Sequence, residues 1–418
     1  MLTFLSAFLL FNCIYQIFST ITIYGLGIFS ASMPSLIRDG MRCVFLLILL
    51  IINRHSLKSY LKKRKKIRIS FIVLLLYSVL LSYLFFNKAP ADLLIGIKYG
   101  FWRIFILLSS TFIGFVYHKK LDQNASKYTN TIEIALLIVV ILGFLRQVLK
   151  LLKPERFAAM GYTIHLNDYY FGDNPPIYYL TGYEGTLRRQ GLFSGPNNYG
   201  YFLLAFFPWV LPRYHTSEGK TTTTKLTPRR IITLILRLLA MALTLSRAVF
   251  LGAIFIILLT YRPLIKSKKK LIICTAVTLI AVVIALSLLK RESTLAHITS
   301  KLSALPEIFT HPRGMGLGSS WPAIHHNGSI LPENYYFQIL LDVGRIGFGL
   351  WYLTIFPIVR RRPLKDHENL AAYKKATLGF LALLAIGLFL HVFEDSMVNY
   401  LFFIIYGIIL WHLSKKEK

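Results

Sequence analysis

Apolar runs of about 17–25 residues recur along the whole length of this chain, each separated from the next by a polar connection. A run of that length is what an α-helix needs to cross a hydrocarbon core. In lipid every backbone N–H and C=O must be satisfied within the segment, and a helix does this unaided. Only 16% of the 418 residues are charged, against roughly a quarter in a soluble domain. The expected fold class is therefore all-α, a polytopic integral membrane protein. About twelve spans are expected, near 6–28, 35–53, 70–86, 94–116, 131–150, 197–212, 230–245, 248–262, 271–289, 337–359, 376–393 and 397–413.

The net charge of +30 raises the question of nucleic acid, and the placement of the charges answers it. Basic residues cluster at Arg54 to Arg68, Lys119-Lys120, Arg229-Arg230, Lys266 to Lys270, Arg360 to Arg362 and Lys415-Lys416, each between or beyond apolar runs. This is the positive-inside pattern, and no soluble basic domain is present, so no nucleic-acid partner is expected. With twelve spans, all clusters and both termini fall on the cytoplasmic side of the cytoplasmic membrane. The first run, Leu2 to Ser30, lacks a basic leader region and exceeds a cleaved signal in length, so it reads as the first span. Cys13, Cys43 and Cys274 all lie in apolar runs and frame no metal site.

Three segments follow in order. Residues 1–150 supply N-terminal transmembrane helices, residues 151–360 a core, and residues 361–418 C-terminal transmembrane helices. The core holds two long loops on the outer side, 151–196 and 290–336. Both mix aromatic and polar residues with turn formers, the composition of ordered caps rather than tethers. No internal repeat supports an inverted-repeat transporter.

The polar residues at the loop ends are the candidates for chemistry. Arg188 and Arg189 end the first loop, Gly191, Gly195 and Pro196 force turns, and Asn197 opens a helix. A guanidinium offers a planar fork suited to phosphate, but an arginine here also serves as a snorkelling anchor. Arg247 follows Ser246 with almost no polar linker between two spans, and an arginine so placed normally faces a cavity or a partner. Lys98, Arg103 and Arg237 are further intramembrane cations, read as structural. At the second loop's end, Glu333-Asn334 begins a helix. Glu333 is either a first-turn acid matched to the helix dipole or a general base for a hydroxyl. His325 and His326, just upstream, suit proton transfer near neutral pH or are simply solvated. His-His-Asn is not a metal motif, and no metal or other cofactor is expected.

Arg189-x-x-Gly-x-Phe…Pro-Asn197, Ser246-Arg247, Gly314-x-Gly-x-Gly318 and Asn334-x9-Gly344-x-x-Gly347 occur in this order. Together they resemble the core of the O-antigen ligase and polymerase family over about residues 185–350. The resemblance implies a metal-independent, inverting glycosyltransferase of the GT-C membrane type. Its donor would be a glycan linked to undecaprenyl diphosphate, used at the outer face of the cytoplasmic membrane, and its acceptor a glycan, lipid or protein. Arg189 and Arg247, with Arg188 beside them, would bind the diphosphate, supported by Asn197, Asn334 and Ser246. Glu333, His325 or His326 would be the base. Ligases of this kind carry His where this chain has Glu333, a departure that favours polymerase over ligase. The alternatives are a lipid-linked glycan flippase, which should spread its charges through a central cavity, and a sensor or scaffold, which should tolerate loss of Arg189 and Arg247.

Overall fold

The computed structural model describes residues 51–63, 65–123, 125–148, 180–181, 186–193, 195–211, 214–217, 220–223, 228–261, 291–321, 330–359, 370–393 and 396–412, with isolated positions between 40 and 50. The described chain is built from helices: α1 (Arg54–Lys63), α2 (Lys65–Leu84), α3 (Pro90–Gly100), α4 (Trp102–Gln123), α5 (Ala125–Val148), α6 (Pro196–Ala205), α7 (Pro228–Leu243), α8 (Arg247–Tyr261), α9 (Arg291–Thr310), α10 (Tyr335–Val359), α11 (Leu370–Ile386) and α12 (Ser396–His412). Two small antiparallel hairpins are added, Leu180–Thr181 with Thr186–Leu187 and Tyr214–Ser217 with Lys220–Thr223.

Among the described residues, two helices are long and apolar enough to cross a membrane, Lys65–Leu84 and Tyr335–Pro357. A third span results if α3 and α4 count as one, although they bend by 52°. That bend falls within the span expected at 94–116: helix α3 closes at Phe101, whose N–H reaches Ile97 O, and α4 departs in a new direction. Within the span expected at 197–212 the chain forms the ten-residue α6 followed by the 3-10 turn Phe207–Trp209. At 1.5 Å per residue α6 extends only about 15 Å. The spans expected at 6–28 and 271–289 lie outside the described residues.

The side chains are arranged for an apolar solvent. On α7, Ile231, Ile232, Ile235, Leu238 and Leu239 face outward while Thr233 and Arg237 are buried. A water-soluble helix would place these the other way round. On α2 the exposed set is likewise Ile69, Ile72, Val73, Leu76 and Leu80. An apolar exterior of this kind on apolar helices points to an integral membrane protein.

The chain divides into two compact units, Met1–Ile52 with Lys119–Ile273, and Asn53–His118 with Cys274–Lys418. In the first, α6 packs against both α7 and α8, and α7 against α5. Gly200 permits the closest approach, since a Cβ there would lie 2.3 Å from Val249 Cγ2. In the second, α2 lies along α10, α9 packs on α10 through Ala304, Ile308 and Leu341, and α11 pairs with α12.

The intramembrane cations expected to be structural are partnered within their units. Arg237 donates from Nη1 to Phe206 O at 2.6 Å, and on the same helix Arg230, of the basic cluster that precedes it, meets Glu133 at 3.1 Å. Arg103 donates to Phe393 O at 2.7 Å, with its guanidinium 4.5 Å from the Tyr335 ring centroid. Lys98 sits over the Tyr99 ring.

Candidate functional site

The arginines of the first unit are gathered by an exchange of helix-end hydrogen bonds. A helix leaves its last carbonyls unsatisfied. At the end of α7, Leu243 O accepts the Arg189 N–H at 2.9 Å, and Thr244 O accepts Arg188 Nε at 2.9 Å. The chain then reverses at Leu245, in the left-handed region at φ 51°, and Arg247 starts α8. Ser246 is buried, its N–H reaching Thr244 Oγ1 at 3.3 Å and its carbonyl accepting the Phe250 N–H. The Arg188–Arg189 segment and the Ser246–Arg247 turn, far apart in sequence, are thus laced together.

The same knot holds the start of α6. Arg188 Nη2 donates to Asn197 Oδ1 at 2.8 Å. Gly191, at φ +55°, lies so close to Tyr199 that a Cβ would sit 2.9 Å from the ring, and Phe193 stacks on Tyr199. Gly195 precedes the helix and Pro196 opens it, where its missing N–H costs nothing. Gly200, midway along α6, touches Val249 in the first turn of α8. Arg188, bonded to both Asn197 and Thr244, ties the positive end of α6 to the turn that leads into the positive end of α8.

The arginines differ in commitment. Arg188 is consumed in holding Thr244 and Asn197 together. Arg189 is half-buried and pinned by its backbone, but its guanidinium makes no hydrogen bond or ion pair among the described residues. Arg247 is half-buried on the first residue of α8. A fixed backbone with an uncommitted fork at Arg189, beside the helix N-terminus that Arg247 opens, is an arrangement suited to an anion.

In the second unit the helix expected to begin at Glu333 begins at Tyr335. Asn334 is the cap: its Oδ1 accepts the N–H groups of Tyr336 at 2.9 Å and Phe337 at 3.2 Å, and its Nδ2 donates to Leu388 O at 3.0 Å. Glu333 therefore stands outside the helix and is not the first-turn acid of one expectation. Its N–H meets Ser300 Oγ at 3.3 Å, and Ser300 in turn donates to Leu331 O at 2.8 Å, tying the segment to α9. Glu333 is half-buried. His325 and His326 lie outside the described residues.

The glycine motifs of this unit interlock, and Asp342 holds the lock. In α10, Gly344 takes φ 66°, ψ −170°, which breaks the helix ladder. The Arg345 N–H, which in a straight helix would bond Leu341 O, bonds Pro312 O at 3.0 Å instead, and Leu341 O accepts Met315 N–H at 2.6 Å. Gly314, Gly316 and Gly318 all adopt positive φ. Their loop wraps the Asp342 carboxylate, which accepts the N–H groups of Gly318, Ser319 and Ser320 at 3.0–3.2 Å, Ser320 Oγ at 2.9 Å and Trp321 Nε1 at 2.5 Å. Asp342 is 2% exposed. The sequence signal for its role was a lone acid inside an apolar run, four residues after Gln338.

No family model matches the sequence. The chain is 24% identical over 278 residues to an O-antigen polymerase of Salmonella muenchen, the match covering 59% of this chain and 63% of that protein. The chain thus spans less than two thirds of that relative's length. This relative supports the resemblance to the O-antigen polymerase and ligase family read from Arg189, Arg247 and the glycine motifs.

Proposed function

We propose that this chain is a membrane glycosyltransferase of cell-surface polysaccharide synthesis, an O-antigen-type polymerase in preference to a ligase. It works on glycans carried by undecaprenyl diphosphate at the outer face of the cytoplasmic membrane. The observation that carries the reading is the knot of Arg188, Arg189, Ser246 and Arg247 beside two helix N-termini. The similarity to a protein named O-antigen polymerase supports an O-antigen-type glycan as substrate. The proposal includes the twelve-span layout with both termini cytoplasmic and the core at residues 151–360.

In the proposed reaction, the acceptor hydroxyl oxygen attacks the anomeric carbon of the donor glycan. The bond from that carbon to the diphosphate oxygen breaks, and the configuration inverts. The hydroxyl proton passes to a base, for which Glu333 is the described candidate and His325 or His326 the others. Negative charge grows on the departing diphosphate in a low-dielectric site, where Arg189 and Arg247 are worth most. Arg188, Asn197 and Ser246 hold those two in place, and Asn334 sets the helix start beside Glu333. The electrostatic work is assigned to guanidiniums rather than to a divalent ion.

The test is a transfer assay with purified protein in detergent, given undecaprenyl-diphosphate-linked repeat units, EDTA and no second acceptor. A ladder of longer lipid-linked glycans supports a metal-independent polymerase. Product formed only after a lipid or protein acceptor is added means a ligase. No product with any acceptor, from protein shown to be folded, removes the enzyme reading.

A further inference from the structure

The second unit carries a pair of surface guanidiniums that the transfer reading does not use. Arg313 and Arg345 leave one backbone knuckle: Arg345 N–H donates to Pro312 O at 3.0 Å, and a Cβ on Gly344 would lie 2.3 Å from the Arg313 carbonyl carbon. Both side chains are exposed. The Arg313 guanidinium lies 5.8 Å from the Phe85 ring centroid, and that of Arg345 lies 5.9 Å from the Phe309 ring. These rings are themselves 66% and 68% exposed. Neither guanidinium makes a hydrogen bond or ion pair with a described residue. The neighbouring acids are occupied, Glu307 by His311 at 3.1 Å and Asp342 by its five donors.

Exposed arginines over exposed phenylalanines make little sense in water, where the rings would be better buried. At a bilayer surface each part has a place: rings at the boundary with the acyl chains, guanidiniums at the level of the phosphates. The position in the fold agrees. Phe85 directly follows α2, one of the two helices able to span, and Arg345 begins the second half of α10, the other. With Arg345 at the surface, the crossing part of the span expected at 337–359 narrows to Arg345–Val359, about 21 Å at the helical rise. Long side chains at its ends would reach the two faces of a core about 30 Å thick. Leu84, Leu302 and Ile346 add exposed aliphatic surface.

We infer that Arg313 and Arg345 form a binding site for the phosphate of an anionic phospholipid at the bilayer surface, with Phe85 and Phe309 packing against the start of its acyl chains. Two forks from one knuckle can grip one phosphodiester from two sides, and the rings hold the fork planes in place by cation–π contact. This site is independent of the transfer reading and of its substrate.

The experiment titrates full-length protein in neutral detergent with dioleoylphosphatidylglycerol, dioleoylphosphatidylcholine or inorganic phosphate, reading the shift in Tm. The anionic lipid raises Tm, and the zwitterionic lipid and inorganic phosphate do not. In the double variant Arg313→Gln with Arg345→Gln, the same shift needs about tenfold more anionic lipid, as loss of charge-assisted hydrogen bonds requires. The corresponding double lysine variant falls between, since charge remains and the fork is lost. Lys58→Gln with Lys62→Gln, on exposed positions of α1, responds as the parent. The inference is overturned if the double glutamine variant titrates like the parent, or if the α1 variant loses as much. An equal shift with phosphatidylcholine, or a full response to inorganic phosphate, overturns it as well.

Discussion

Gly314 and Gly344 meet backbone to backbone: a Cβ on Gly314 would lie 2.6 Å from Gly344 N, and one on Gly344 would lie 2.5 Å from Pro312 O. Gly344 also occupies a φ, ψ region open essentially to glycine alone, at a cost of about 1–3 kcal/mol for other residues. Gly344→Ala is expected to lower Tm sharply or prevent recovery of folded protein. Gly349→Ala, in the same helix where a Cβ meets nothing within 4 Å, should hold Tm or raise it slightly. Equal melting of the two variants would mean the interlock contributes nothing.

Asp342 anchors the loop over that interlock. Asp342→Asn keeps the shape but withdraws the charge and turns one acceptor atom into a donor facing N–H groups. Asp342→Leu takes the acceptor from the Gly318 and Ser320 N–H groups and from Trp321 Nε1, while Ser319 N–H keeps Gly316 O at 3.3 Å and Ser320 Oγ keeps Gln338 O at 3.0 Å. Buried unsatisfied donors cost about 1–3 kcal/mol each, less whatever the loop recovers by moving. The expected order of Tm is parent, then asparagine, then leucine. A leucine variant as stable as the parent would show the carboxylate to be dispensable.

These two residues also mark how far the sequence could be read. Gly314, Gly316, Gly318, Gly344 and Gly347 stand out in the chain as a motif, but nothing local says that two glycines thirty residues apart touch. That contact exists because broken helix bonds at Gly344 free Leu341 O for Met315, a tertiary event. A helix start at Glu333, as expected from the sequence, overlooks the cap rule: asparagine is a strong N-cap residue and glutamate is not, which places Asn334 at the boundary and Glu333 outside. The bend at Phe101 has no proline or glycine immediately after it to announce it in an apolar run. Gly96 and Gly100 hint at it only once Gly318 and Trp321 are seen against them. The apolar exterior and the helical class were legible throughout, because hydropathy is a property of the run. The pairing of Arg188 with Thr244 was not, because helix-end carbonyls are satisfied by whatever the fold brings near.

Arg188 and Arg189 are neighbours with opposite expected phenotypes. Arg188 is bonded to Thr244 O and Asn197 Oδ1. Arg188→Gln should therefore lower both Tm, by about 1–3 kcal/mol in stability for lost charge-assisted bonds, and the transfer rate. Arg189→Gln removes a guanidinium with no described partner, so Tm should hold while transfer falls by about tenfold or more. Thermal unfolding and the ladder assay on the same preparations separate the two. Loss of Tm in the Arg189 variant with transfer intact would reverse the assignment.

Arg247 tests whether the fork or only the charge is used. Arg247→Ala is expected to reduce transfer by about 10²–10³-fold, the range for losing one donor to a developing anion. Arg247→Lys retains charge at the start of α8 but offers no planar pair of donors, and should recover only part of that loss. If alanine turns over at close to the parental rate, Arg247 leaves the mechanism and the diphosphate must be held elsewhere.

Glu333 sits one residue before the cap, tied by its N–H to Ser300, so its side chain can be changed without touching the helix-capping bonds of Asn334. Glu333→Gln should lower the maximal rate by about 10²–10⁴-fold, the usual contribution of a positioned base. A base must be deprotonated to act, so the parental rate should fall as pH drops through its titration, and that acid limb should vanish from the residual activity of the variant. Glu333→Gln with unchanged rate and unchanged pH profile would move the role to His325 or His326, whose separate glutamine variants are then the next to measure.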